Sequence, residues 1–387
     1  MAMVKVVEVG GRGRAMVAAV PIAAGQVLLA ESPLLLYIDA SAAASPSPAF
    51  CDHCSRTLPS LSPSIIPCPS CSQAAFCSSA CASAASHPPH VCQALRKLQS
   101  SAIDLHSQTQ LRFLIAAYNL VLAAPSLFQQ LLQMEGSSVI DSHAVFLHPF
   151  IQELVKSWPL QNVSVQLTGA LLQKDNRNAF AIMAPSSEPG VRRVRAYALY
   201  SQASFFNHDC LPNACRFDYV DDPDKPNSSI FIRALHDISP GNEVCLSYFP
   251  INWNLAERRN RLLQDYGFEC TCERCVVEDQ WDDEGEGHCN TEEEDFHLGH
   301  SEHKGDEEMD DDDSENAADD FPHAMFFVKH LCPCEDCGGT MAPILPEQLV
   351  EELGSGCSRS MECNMCGYLR TNEEFLQDLE EQKGMET

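Results

Sequence analysis

The stretch SFFNHDCLPNACRFDY, Ser204 to Tyr219, sets Asn207, His208, Cys210 and Asn213 directly behind the apolar pair Phe205-Phe206. Alone it reads as a turn whose amide side chains satisfy the backbone. Three companions change that reading. GGRGR occupies residues 10–14, LSYF places Tyr248 forty residues beyond His208, and ECTCERC brings Cys270, Cys272 and Cys275 soon after. Three thiolates leave a tetrahedral zinc shell one ligand short. Cys210 is the candidate fourth ligand; the alternative is Cys289, with Cys210 a small buried residue.

Other cysteines cluster as well. Cys51, Cys54, Cys68, Cys71, Cys77, Cys81 and Cys92 fall within 42 residues, with His87 and His90 among them. Thiols paired two residues apart form knuckles that converge on one ion, and a segment this poor in large apolar side chains folds only if metal supplies the energy. Interleaved pairing is expected: Cys51, Cys54, Cys77 and Cys81 on one ion, and Cys68, Cys71, His87 and Cys92 on the other. A single residue separates His90 from Cys92, which is cramped for a shared ion and favours His87. Toward the C-terminus, Cys334, Cys337, Cys363 and Cys366 form two more knuckles, each followed by glycine, with Cys332 an alternative to Cys334. Together these clusters imply about four structural Zn²⁺ per chain.

The 387-residue chain carries a formal charge of −29, unevenly spread. Twenty-one acidic residues and a single lysine lie between Glu278 and Asp320, so the rest is only mildly acidic. Phosphate recognition needs a basic face, so direct nucleic-acid binding is not expected; lysine-rich peptides fit the charge better. No apolar run approaches the ~20 residues that a bilayer demands, and the first residues lack a signal-peptide core. The expected location is the nucleus or cytoplasm, where thiols stay reduced and metal is favoured over disulfides.

The fold class read from these patterns is α+β and zinc-rich. Residues 4–38 are short strands punctuated by glycine and proline, and 51–92 are the cysteine-rich finger. Residues 95–162 are a helical insert, with Leu111, Leu114, Ile115, Tyr118 and Leu122 at helical steps and Pro125 between two helices. Residues 163–250 return to strands: Ile230 and Ile232 alternate with polar neighbours, and Val244, Leu246 and Tyr248 share one strand face. Residues 251–277 contain a helix capped by Asn254 with Glu257 three positions on. Residues 278–320 are an acidic disordered linker, and 321–387 a zinc-ribbon-like unit.

Taken in order, GRGR, the cysteine-rich insert, the helical stretch, NHDCLPN, GNEVCLSYF and YGFECTCERC resemble the SET-domain protein-lysine methyltransferases. The insert at 51–92 narrows the likeness to the SET-and-MYND (SMYD-type) family, most like a plant-type branch. The match spans about residues 4–275; the acidic segment and the ribbon lie outside it. The resemblance implies a knotted SET fold of small sheets interrupted by a MYND finger. It also implies S-adenosyl-L-methionine as cofactor and a monomeric enzyme that methylates a lysine of a histone or other protein, in the manner of a chromatin regulator. By matched position, Gly11, Arg12, Gly13, Asn178, Asn207, His208 and Phe268 resemble cofactor-binding residues. Tyr248 resembles the catalytic-site tyrosine, which also meets the cofactor, and Phe180, Ser204 and Tyr266 resemble the walls of the lysine channel. Asp209 stands where the family more often has serine, a change expected at the rim. A MYND finger further implies a proline-rich peptide partner, so the rival reading is an adaptor on a SET scaffold of little or no activity.

Overall fold

A computed structural model describes residues 2–285, apart from 45–48, 60–64, 72–73, 85, 138 and 186–192, together with 322–345, 360–371 and 374. Cys289, Cys357 and the bulk of the acidic segment lie outside the described residues. Strand β1 (Val4–Val9) turns back into β2 (Gly13–Ala18) through the glycine-rich turn, with Val9 opposite Gly13. Gly11 and Gly13 take φ of +77° and +71°, a left-handed backbone that glycine adopts without a Cβ clash. Strands β3 (Val27–Glu31) and β4 (Leu35–Ile38) follow, then the short helix α1 (Ala40–Ala44).

The finger is built from four two-residue strands, β5 (Ala49–Phe50), β6 (Thr57–Leu58), β7 (Ile66–Pro67) and β8 (Ala75–Phe76), and helix α2 (Ser79–Ala82). Helix α3 (Pro89–Gln99) leaves the finger, with proline at its first position where no N–H is needed. The insert proper is α4 (Leu105–Ala123), α5 (Pro125–Gln133), α6 (Ser142–Val155) and α7 (Val165–Asn178). Asp104, Asp141 and Ser164 cap three of these through side-chain acceptors. Pro125 does separate two helices. Helix α7 lies where strands were expected, beyond residue 162. Leu171 and Leu172 join Leu111, Leu114 and Tyr118 in the helical core, and that shared burial outweighs the modest helix propensity of VQLTGALL.

The chain then forms β9 (Phe180–Met183), β10 (Val194–Leu199), β11 (Ala214–Phe217) and β12 (Ile230–Ala234). Two three-stranded antiparallel sheets result, ordered β4-β10-β9 and β11-β12-β3. Residues 243–248 are not a regular strand. Val244 N–H bonds Met16 O on one side, while Leu246 N–H bonds Asn207 O and Leu246 O accepts from Asp209 N–H on the other. The segment is thus threaded between β2 and the NHDC loop, and Val244, Cys245 and Leu246 are all buried rather than alternating. No helix of the described residues is long and apolar enough to cross a membrane.

Helix α8 (Leu255–Arg261) carries the expected capping box of Asn254 and Glu257, and a π-helical turn (Leu262–Tyr266) continues it. Helix α9 (Glu273–Gly285) enters the acidic segment. Its first acid is withdrawn from solvent: Glu278 pairs with the buried Arg258 and Arg274, while Asp279 makes an exposed pair with Arg259. The C-terminal unit comprises α10 (Ala324–His330) and the sheet β13 (Met341–Pro343), β14 (Ser360–Cys363) and β15 (Leu369–Thr371). It packs on β11 and β12: Arg233 pairs with Glu362 at 2.8 Å, and Ala342 shares a buried cluster with Cys215, Phe217 and Leu235.

Candidate active site and zinc sites

Four clusters of sulfur and nitrogen ligands come together. They are Cys51, Cys54, Cys77 and Cys81; Cys68, Cys71, His87 and Cys92; Cys210, Cys270, Cys272 and Cys275; and Cys332, Cys337, Cys363 and Cys366. A tetrahedron with ~2.3 Å zinc–sulfur bonds has sulfurs ~3.8 Å apart. The observed separations match: 3.6 Å for Cys54–Cys77, 3.8 Å for Cys68–Cys92, 3.5 Å for Cys210–Cys275 and 3.7 Å for Cys332–Cys366. The residues present therefore fit zinc.

The interleaved pairing of the finger is as expected, and His87 rather than His90 joins it. His87 Nε2 lies 3.5 Å from Cys71 Sγ while Nδ1 meets Asp52 at 3.0 Å, the carboxylate partner that orients a metal-bound imidazole. His90 instead bonds Asn119 and sits edge-on to Trp158. The C-terminal set needs one correction: Cys332 takes the place expected of Cys334. Cys332 N–H pairs with Gly339 O on a hairpin arm, while Cys334 belongs to the turn, its carbonyl accepting from Cys337 N–H. Gly339 is obligatory here, because a Cβ would run into the Cys363 sulfur and lie 3.2 Å from that of Cys337.

A cavity of about 670 Å³ opens between the glycine-rich turn, the NHDC loop, the end of α5 and the segment 266–272. Gly11, Arg12, Gly13, Asn178, Ser204, Asn207, His208, Tyr248, Tyr266 and Phe268 all line it. Phe180 does not; its ring packs against Tyr200 and under the Arg216 guanidinium. Asp209 is likewise off the wall, its carboxylate accepting Leu211 N–H at 2.9 Å in a local turn. Sequence reasoning missed three contributors. The carbonyls at the end of α5 are held one by one, Gln133 O by Arg14, Met134 O by Lys174 and Glu135 O by Asn178, which fixes that helix as a wall. Gly267, at φ +75°, lets the chain swing Tyr266 and Phe268 toward the cavity, and a Cβ there would come within 3.0 Å of the Arg177 guanidinium. Glu243, half-buried beside Arg12, had one legible signal: a carboxylate directly ahead of the apolar run Val244, Cys245 and Leu246.

The centre of the site can be assigned atom by atom. Tyr248 N–H donates to His208 Nδ1 at 3.2 Å, so that nitrogen is unprotonated and the proton sits on Nε2. Nε2 lies 3.2 Å from Cys210 Sγ and donates to it. Burial pushes the imidazole down to about 3, which keeps it neutral. One histidine thus ties the Tyr248 backbone to a sulfur of the third cluster. Tyr248 O–H donates to Phe206 O at 3.1 Å, and burial raises its pKa well above the usual tyrosine range. Its ring lies 4.7 Å from that of Tyr266. Asn178 gives both amide hydrogens to Glu135 O and Lys174 O, leaving an acceptor oxygen.

The SET domain family model matches residues 13–249. A histone-lysine N-methyltransferase of Arabidopsis thaliana, ASHR2, is 45% identical over 96% of this chain and 96% of its own. A SET and MYND domain-containing protein of Dictyostelium discoideum is 38% identical over 20% of this chain and 21% of its own. The human histone-lysine N-methyltransferase SMYD1 is 29% identical over 32% and 26%. A crystal structure of the SET domain of LSMT bound to lysine and AdoHcy covers 70% of this chain and 53% of its own, with 14% identity and a TM-score of 0.32, too slight a likeness to transfer geometry. With the motif order, the cavity and the extent of these matches in agreement, the chain belongs to the SET-domain family of protein-lysine methyltransferases.

Proposed function

We propose that the chain transfers a methyl group from S-adenosylmethionine to a lysine amine of a histone or other protein. One observation carries the reading: a single cavity gathers the glycine-rich turn, Asn178, Asn207-His208, Tyr248 and Phe268 from five separate stretches of chain. When bound there, the cofactor supplies a methyl on a positively charged sulfur, so the leaving group needs no acid.

The protein's task is to hold a lysine amine neutral, aligned and dry. An ordinary lysine near pKa 10.4 is cationic at pH 7, and neutralising it costs about 4–5 kcal/mol. Aromatic walls at Tyr248 and Tyr266 favour the neutral form by desolvating the amine. The Tyr248 hydroxyl keeps its proton, spends it on Phe206 O and offers lone pairs to the amine or to polarised C–H groups. It positions rather than abstracts. Zinc at each cluster would meet four protein ligands, which would leave no open position for activating water and give it a structural role. Asp221 docks the finger on the core, accepting from Thr57 N–H at 2.8 Å and from the buried Arg195 at 3.0 Å.

The test is label transfer from S-adenosylmethionine by the purified full chain to a histone and proteome panel. Wild type should label a subset of substrates, and Tyr248→Phe should do so about 10²-fold more slowly. Wild type performing no better than Tyr248→Phe on every substrate would remove the proposal.

A further inference from the structure

Glu243 sits where two cavity-lining residues meet. Its Oε1 accepts from Asn207 Nδ2 at 2.8 Å, and its Oε2 lies 3.4 Å from Arg12 Nε. Its own backbone is fixed independently: Asn213 Nδ2 donates to Glu243 O at 2.8 Å, and Glu243 bridges Val17 of β2. Arg12 Nη2 in turn donates to His208 O at 2.8 Å.

A carboxylate only accepts. It therefore fixes the Asn207 amide with nitrogen toward Glu243, so that Oδ1 remains an acceptor for a ligand. It also anchors Arg12 by one edge, and a guanidinium has more N–H donors than its protein partners here use. The cavity wall thus presents one cationic donor and one neutral acceptor side by side. That pair complements a zwitterionic α-amino acid group, whose carboxylate needs donors and whose ammonium needs acceptors. The aromatic rings of Tyr248, Tyr266 and Phe268 cannot make that distinction.

We propose that Glu243 is a positioning residue which, through Asn207 and Arg12, sets the polarity of the subsite for the amino-acid moiety of S-adenosylmethionine. The inference rests on the cofactor reading above. Substituting glutamine keeps the shape but removes the charge and adds an NH₂ group, which frees the Asn207 amide to flip and loosens Arg12.

The experiment is calorimetry on the full, zinc-loaded chain with two ligands. S-adenosylhomocysteine carries the amino-acid moiety; 5′-methylthioadenosine is a nucleoside thioether without it. Glu243→Gln is expected to weaken S-adenosylhomocysteine about tenfold or more while changing 5′-methylthioadenosine by less than about twofold. Zinc content and thermal midpoint report whether the variant is folded. If it is not, Glu243→Asp carries the test, with a smaller loss of the same selectivity. Equal weakening of both ligands, or an unchanged affinity for S-adenosylhomocysteine, overturns the positioning role. Wild type binding neither ligand overturns the cofactor reading itself.

Discussion

The finger and the helical insert lie next to each other in the chain and are held together by different physics. The finger's buried cluster is Cys51, Cys68, Cys71 and Cys92 with only Leu58, Ala74 and Phe76 for apolar bulk. The insert buries Leu111, Phe113, Leu114, Leu147, Ile151 and Leu171 with no thiolate cluster. One region is a core of ligands that need an ion between them, and the other is a core of hydrocarbon that needs only exclusion of water. Strand length follows the same division: two residues per strand suffice in the finger because its geometry is set by coordination rather than by a ladder.

The contrast can be broken most directly by chelation. A structural zinc contributes about 10–16 kcal/mol, so stripping metal should open residues 49–92 to protease while the far-UV helical signal persists. Helical signal lost in step with zinc would erase the distinction. Next in size is Leu111→Ala, which leaves a cavity in the insert and should cost about 2–5 kcal/mol of unfolding free energy with zinc content unchanged. A drop in zinc on that substitution would show the two cores to be one.

Smaller effects sharpen the comparison. Metal analysis of Cys332→Ser should show one ion fewer, whereas Cys334→Ser should keep the full number and shift stability by no more than about 0.5 kcal/mol. The reverse outcome would restore the sequence-based assignment. The last test concerns a charge that the apolar core distorts. Burial lifts the Asp175 carboxyl from 3.8 to about 7, against the Tyr37 hydroxyl bonded to it at 2.6 Å. The folded value exceeds the unfolded one, so its contribution is full below about pH 4 and is lost as pH rises through about 7. Asp175→Asn should flatten that part of the denaturant-midpoint profile between pH 4 and 8, and an unchanged slope would assign it elsewhere.

Sequence alone was enough wherever function depends on covalent spacing. Cysteine spacing by itself named metal ligands, because ligand bite is a local property; the glycine turn and the order of NHDCLPN, LSYF and ECTCERC carried the family resemblance, and matched position within it named ten of the cavity's residues. It failed where one side chain competes with another through space. Cys332 displaced Cys334 because pairing with Gly339 decided which thiol faces the ion. Phe180 went to Tyr200 instead of the channel, and residues 165–178 became helix once the insert offered a surface to bury Leu171 and Leu172.

Glu243 gained its meaning only when β2, the NHDC loop and residues 243–248 were threaded together. The contacts that join Glu243 to Asn207, 36 residues away, and to Arg12 at the other end of the SET region have no periodicity in sequence. The fold alone selects them, by bringing the glycine-rich turn, the NHDC loop and residues 243–248 to one place.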